Sequence, residues 1–340
     1  MDYFFTENQA PTMDLEDARK RSNRVGLAFF VLMTVSFVAA LVIQVLFLIL
    51  FPNANGTWML WTVTILSLYV CAAPLSFLLF RTVKADVPKK RKMPISALAR
   101  FLFIGFALMI AGVMLGNFIN GTIETIFGIE QDSAVGEAVE ESPLWLTCIY
   151  TLGIAPLLEE VFFRKLLIDR MRPLGQWVCL LVSGVFFGLF HGNIEQFCYA
   201  TLLGIVLAYI YYNTRNVWYC VAIHSIINFF CGVLGTIIQR LSPVDFLDET
   251  LTEEALTQLI RKHPIAYSAL IGSSLLIYAF AIVGLYFIIR YGRKLVSSIE
   301  PCPIPKGQRF RTVALNVGTI LFVISCVASM ILFMIPTPGA

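Results

Sequence analysis

Apolar residues along this chain gather into nine blocks separated by shorter polar stretches. The blocks run approximately over 25–51, 57–80, 96–118, 144–167, 177–191, 196–212, 217–238, 265–290 and 312–336. A helix rises ~1.5 Å per residue, so crossing a bilayer core takes about 20 apolar residues. Most blocks meet that length. The fifth and sixth are short, and a half-span plus loop would also suit them. The pattern predicts an all-α, polytopic integral membrane bundle of about nine helices. The first block follows 24 mostly polar residues and lasts about 27, too long for the apolar region of a cleaved signal. It reads as an uncleaved first span.

The polar stretches alternate in charge. Arg19, Lys20, Arg21 and Arg24 precede the first block, and Arg81 to Lys92 follow the second. Arg164, Lys165, Arg170 and Arg172 lie at or after the end of the fourth, Arg215 follows the sixth, and Arg290 to Arg311 follow the eighth. The stretch after the third block carries Glu124, Glu130, Asp132, Glu137, Glu140 and Glu141 with no Lys or Arg. Basic residues thus recur at every second connection. The positive-inside bias then places the N-terminus in the cytoplasm and the C-terminus outside. The connection 239–264 is mixed in sign, and Leu247, Leu251, Ala255 and Leu259 recur there every four residues. That period predicts an amphipathic helix on the outer interface; a lid over a cavity is the sharper alternative.

The resulting organisation has five parts. Residues 1–24 form a cytoplasmic N-terminal segment, loosely ordered. Residues 25–143 hold three spans and an acidic outer loop, and 144–238 form a core of further spans. Residues 239–264 form an amphipathic outer loop, and 265–340 carry two last spans.

Composition agrees with this class. Apolar residues make up 58% of the chain and charged ones 14%, where soluble domains carry about 25% charged residues. No basic stretch alternates with aromatics, so nucleic acid is not an expected partner. The lipid bilayer is an expected partner. Eight cysteines include no CxxC pair and read as small apolar side chains. The expected location is a bacterial cell membrane.

Ionisable side chains in hydrocarbon are costly and need a functional or pairing reason. Two of the three histidines, His191 and His224, lie in apolar blocks, and another block carries Glu159–Glu160. Glu160 and Arg164 are four apart, so they share a helix face and can pair. Glu159 points about 100° away with no such partner, which suits a general base. Phe187 and His191 share one face, and so do His224 and Asn228. Measured from the basic ends of their helices, Glu159, His191, His224 and Asn228 lie at ~16, ~22, ~12 and ~18 Å. These depths straddle the middle of a ~30 Å core, so one cavity can receive all four. Small residues repeat at four in two neighbouring blocks: Gly184, Gly188 and Gly192, then Ala200, Gly204 and Ala208. Such faces let helix backbones approach closely.

Glu-Glu-x-x-x-Arg, then Phe-x-x-x-His, then His-x-x-x-Asn, on successive spans, resembles the CAAX prenyl endopeptidase and bacteriocin-processing intramembrane protease family. This family is also known as the lysostaphin-resistance or ABI family. The resemblance covers about residues 144–231. It implies endopeptidase chemistry within the membrane, with a peptide or membrane-protein substrate as partner. By that resemblance Glu159 and His191 activate water, while His224 and Asn228 donate to the oxyanion. Glu160 and Arg164 brace the site, and Phe187 packs the helix that positions His191. Glu159, His191 and His224 would also make a zinc set with an open water position. The two histidines occupy different helices and no HExxH is present, which favours a metal-independent reading. The alternative is a non-catalytic membrane scaffold, regulator or bacteriocin immunity protein on the same fold. A proton-coupled carrier would be expected to show inverted repeats, which the sequence lacks. A bis-histidine haem protein would show a visible absorption band.

Overall fold

The computed structural model describes residues 13–53, 56–128, 142–241, 252–300 and 302–333. Through those residues all nine apolar blocks fold as helix, apart from a break at 314–316, and no strand occurs. We number the helices α1 (Leu15–Leu50), α2 (Gly56–Arg81), α3 (Ile95–Phe127), α4 (Leu144–Leu174) and α5 (Gln176–Phe190). They continue as α6 (Ile194–Thr214), α7 (Val217–Arg240), α8 (Glu253–Lys262) and α9 (Pro264–Ser297). The last two are α10 (Lys306–Val313) and α11 (Val317–Phe333). Seven of these are long and apolar enough to cross a bilayer. The pair α10–α11, bent by 65°, makes an eighth if taken as one span. The expected count of nine is reached only by adding α5, which has 15 residues and falls short of a crossing. The bundle is an integral membrane protein.

Several boundaries differ from the sequence expectation. The first helix starts at Leu15, ten residues early, so half of the segment 1–24 is ordered helix. Asp14 caps it by accepting from the Glu16 N–H, and Glu16 pairs with Lys20. Glu124 belongs to α3, which runs on to Phe127 and ends at Gly128 with φ +65°. The acidic residues 130–141 lie outside the described residues. So do Leu247 and Leu251; the period of four that they begin is helical from Glu253 onward.

Hydrogen bonds gather the basic connections at one end of the bundle. Arg21 Nη1 donates to the carbonyls of Lys84 and Arg170, and Arg24 Nη1 to Thr82 O. Arg215 Nη1 donates to Pro88 O, and the Arg91 N–H to Thr214 O. The Glu300 N–H reaches Gln176 Oε1. These arginines take up carbonyls at helix ends (Thr82, Arg170) and in the connection after α2 (Lys84, Pro88). The basic connections of the sequence therefore meet in space.

The core lies beside α4 and α5. Phe29 of α1 has its ring centroid 4.9 Å from Phe163, 5.3 Å from Phe186, 5.4 Å from Phe80 and 5.6 Å from Phe322. One aromatic cluster thus joins α1, α2, α4, α5 and α11. On its other face α5 packs against α6 through small residues. A Cβ on Gly188 would run into Thr201 and the Phe197 carbonyl, and one on Gly184 into Ile205 and Thr201 O. Gly192 is not part of that interface. It sits at φ +71° beside Ser329 of α11 and turns the chain out of α5.

Candidate active site

Helix α4 carries the two glutamates between two widened turns, Tyr150–Ile154 and Val161–Leu166, each with the π hydrogen-bond pattern. Such bulges are frequent at functional sites. The first has a sequence cause. Pro156 has no N–H for the carbonyls four and five residues before it, those of Leu152 and Thr151. The Ala155 N–H reaches back five residues to Tyr150 O. Helix α7 supplies the missing donors: Ser225 Oγ donates to Leu152 O at 2.7 Å, and Asn228 Nδ2 to Thr151 O at 3.0 Å. The broken ladder of one helix is thereby a docking strip for the other, and it sets the register of His224 against Glu159 and Glu160.

Glu160 and Arg164 are fully buried and paired, with Arg164 Nε 2.9 Å from Glu160 Oε2. Arg164 Nη1 also donates to Ser183 Oγ at 3.4 Å, and its guanidinium lies 4.6 Å over the Phe187 ring. The other carboxylate oxygen of Glu160 is 3.0 Å from His224 Nδ1. A carboxylate can only accept there, so Nδ1 carries the proton and donates. His224 Nε2 then points toward Glu159 Oε2, 3.7 Å away. Glu159 retains 26% side-chain exposure, against 0% for Glu160. One glutamate is locked and the other faces open space.

His191 closes α5 at its C-terminus. Its Nδ1 lies 2.7 Å from Phe187 O. A carbonyl also only accepts, so Nδ1 donates and Nε2 is left as an acceptor in the neutral ring. The Phe187 ring meets both imidazoles edge-on, at 4.9 Å from His191 and 5.6 Å from His224. Asn193 caps α6 by accepting from the Gln196 N–H and donates to His191 O, which fixes the turn.

Glu159, Phe187, His191, His224 and Asn228 line one cavity of about 570 Å³ between α3, α4, α5, α6, α7 and α9. Sequence reasoning did not single out Thr151, Glu195, Gln196 or Tyr199, which share that lining, or Ser225 and Ser183, which orient its residues. Proline inside an apolar block was the available signal for Thr151 and Ser225. The lining contains two carboxylates, Glu159 and Glu195, and neither Lys nor Arg. Glu160 and Arg164 stand behind the wall. Among the described residues no group of three or more His, Cys, Asp or Glu is arranged to hold a metal ion.

Comparison with known proteins bears out the resemblance. Residues 141–230 match the family described as type II CAAX prenyl endopeptidase Rce1-like. Over 208 residues the chain is 24% identical to a Bacillus subtilis (strain 168) protein named "Putative membrane peptidase YdiL", covering 59% of this chain and 79% of that one. No solved structure matches the chain. The matched family region contains every residue of the cavity contributed by α4, α5 and α6, and the His224–Asn228 face of α7.

Proposed function

We propose that this protein is an intramembrane endopeptidase that hydrolyses peptide bonds of peptide or membrane-protein substrates with a water activated by Glu159 and His191. The observation that carries the reading is the meeting of Glu159, His191, His224 and Asn228, from α4, α5 and α7, in one cavity. The family match over the same residues and the relative named as a membrane peptidase support it.

The chemistry follows from what each group can accept or donate. Water between Glu159 and His191 Nε2 meets two acceptors, which polarise both of its O–H bonds. Glu159 takes the proton as the oxygen attacks the substrate carbonyl. It can return that proton to the leaving amine. The developing oxyanion needs donors. One is His224 Nε2–H, present when the ring is doubly protonated between Glu160 and Glu159. The other is the Asn228 amide hydrogen not used on Thr151 O. Glu160 orients His224, and Arg164 holds Glu160. No covalent nucleophile and no metal-borne step is invoked. The basic connections gathered at one end support an orientation with that end, and the N-terminus, in the cytoplasm. The C-terminus then lies outside.

The test compares the peptides of cells producing the full chain with those of cells producing Glu159→Gln. Peptides that depend on Glu159 are expected, and synthetic segments spanning their ends should be cut by the purified protein. The variant should lose about 10²–10⁴ in rate while keeping its melting temperature. An unchanged peptidome, or near-normal cleavage by the variant, would overturn the reading and leave the scaffold alternative.

A further inference from the structure

A second cavity, of about 390 Å³, opens between the N-terminal part of α3 and the C-terminal ends of α6 and α9. We propose that it binds the phosphate headgroup of an anionic phospholipid. Its polar lining consists of Arg100, Lys294, Tyr209, Tyr291, Asn213 and Ser298. Every one of these can donate a hydrogen bond, two are cations, and no carboxylate joins them. Phe101, Ile104 and Leu295 continue the wall into the apolar part of the bundle. A charged donor set beside an apolar wall matches an amphiphile: phosphate at the rim, glycerol and upper acyl carbons below.

The cations are available. Arg100 donates through Nε to Ser96 O at 3.2 Å and lies 5.2 Å from the Tyr291 ring, which leaves its terminal amino groups for a ligand. Lys294 forms no ion pair among the described residues. The frame around them is fixed. Tyr209 and Ser298 hydroxyls are 3.3 Å apart across α6 and α9, Asn213 Nδ2 donates to Tyr209 O at 2.8 Å, and Phe101 packs on Tyr209 at 5.3 Å. The level is right as well. Both cations lie near the ends of apolar blocks, at the end of the bundle where the basic connections meet. Basic pockets between spans at that level suit anionic headgroups. A snorkelling arginine would equally reach the interface, but it would not need a cavity between three helices whose polar end is walled only by donors.

Native mass spectrometry of the delipidated full chain, titrated with phosphatidylglycerol and with phosphatidylcholine, tests this. Wild type should retain one phosphatidylglycerol preferentially. Arg100→Gln/Lys294→Gln should weaken that adduct about tenfold or more, and Arg293→Gln, which removes a cation outside the lining, should not. If the double variant proves unfolded by melting, Lys294→Gln alone carries the test, since Lys294 is exposed. Equal loss in Arg293→Gln would reduce the effect to diffuse charge attraction and overturn the proposal. Equal retention of phosphatidylcholine would overturn it too. Displacement by millimolar inorganic phosphate would assign the site to a small anion instead, and again overturn it.

Discussion

Helices α5 and α9 are both apolar and both wall the candidate active site, yet the bundle treats them oppositely. In α5 most side chains are buried, with phenylalanines on one side and glycines against α6 on the other. In α9, only 6% of the most apolar window is buried, and Ile282, Leu285 and Ile289 stand more than half exposed. The difference follows from what each must hold. Helix α5 ends in His191 and carries Phe187 and Ser183, which touch Arg164 and both imidazoles. Its position is fixed from both faces, as the proposed role of His191 requires. Helix α9 contributes Ser274, Ile277 and Tyr278 to one side of the cavity, packs on α3 through Gly284 and Phe280, and leaves its remaining face exposed. Hydropathy alone does not separate the two; α5 is packed on both faces, while α9 approaches a neighbour closely at Gly284 only on its α3 side.

Three substitutions probe this contrast, in order of expected effect. Arg164→Ala strands the Glu160 charge in a dry interior. It should cost about 3–5 kcal/mol, read as a large fall in melting temperature in detergent. Replacing both partners together, Glu160→Gln with Arg164→Met, should be milder, and equal losses would show that the pair is not the brace described. Gly188→Ala places a methyl against Thr201 and the Phe197 carbonyl. About 1–3 kcal/mol of destabilisation is expected, with activity falling as α5 shifts; a neutral outcome would mean that the α5–α6 contact is looser than the structure gives. Ile282→Ala on the lipid face of α9 should change stability by no more than about 0.5 kcal/mol. A loss comparable to that at Gly188 would erase the contrast and point to a partner covering α9.

Much of this was legible in the sequence, for identifiable reasons. Apolar blocks declare themselves because lipid tolerates little else. The Glu160–Arg164 pair follows from spacing on one helix, and its observed 2.9 Å contact needs no tertiary information. Contacts between helices were less accessible. That Glu160, rather than Glu159, holds His224 depends on how α4 and α7 are rotated, and the two π turns set that rotation. Asn228 lines the cavity, and its amide also donates to Thr151 O, because the Ala155 N–H that would serve that carbonyl reaches Tyr150 O instead and Pro156 offers none. The start of α1 was missed because Arg21 and Arg24 look like solvent-facing charges. They are tethers to carbonyls in distant connections.

The length of α5 has one more consequence. Fifteen residues rise about 22 Å, some 8 Å less than a ~30 Å hydrocarbon layer. With Gln176 at one edge of that layer, the turn at His191–Asn193 falls short of the other edge. Hydrolysis consumes one water for every bond cut, and hydrocarbon holds almost none. On the proposed reading, a helix cut short at the imidazole would give the aqueous phase a way to the cavity where that water is needed.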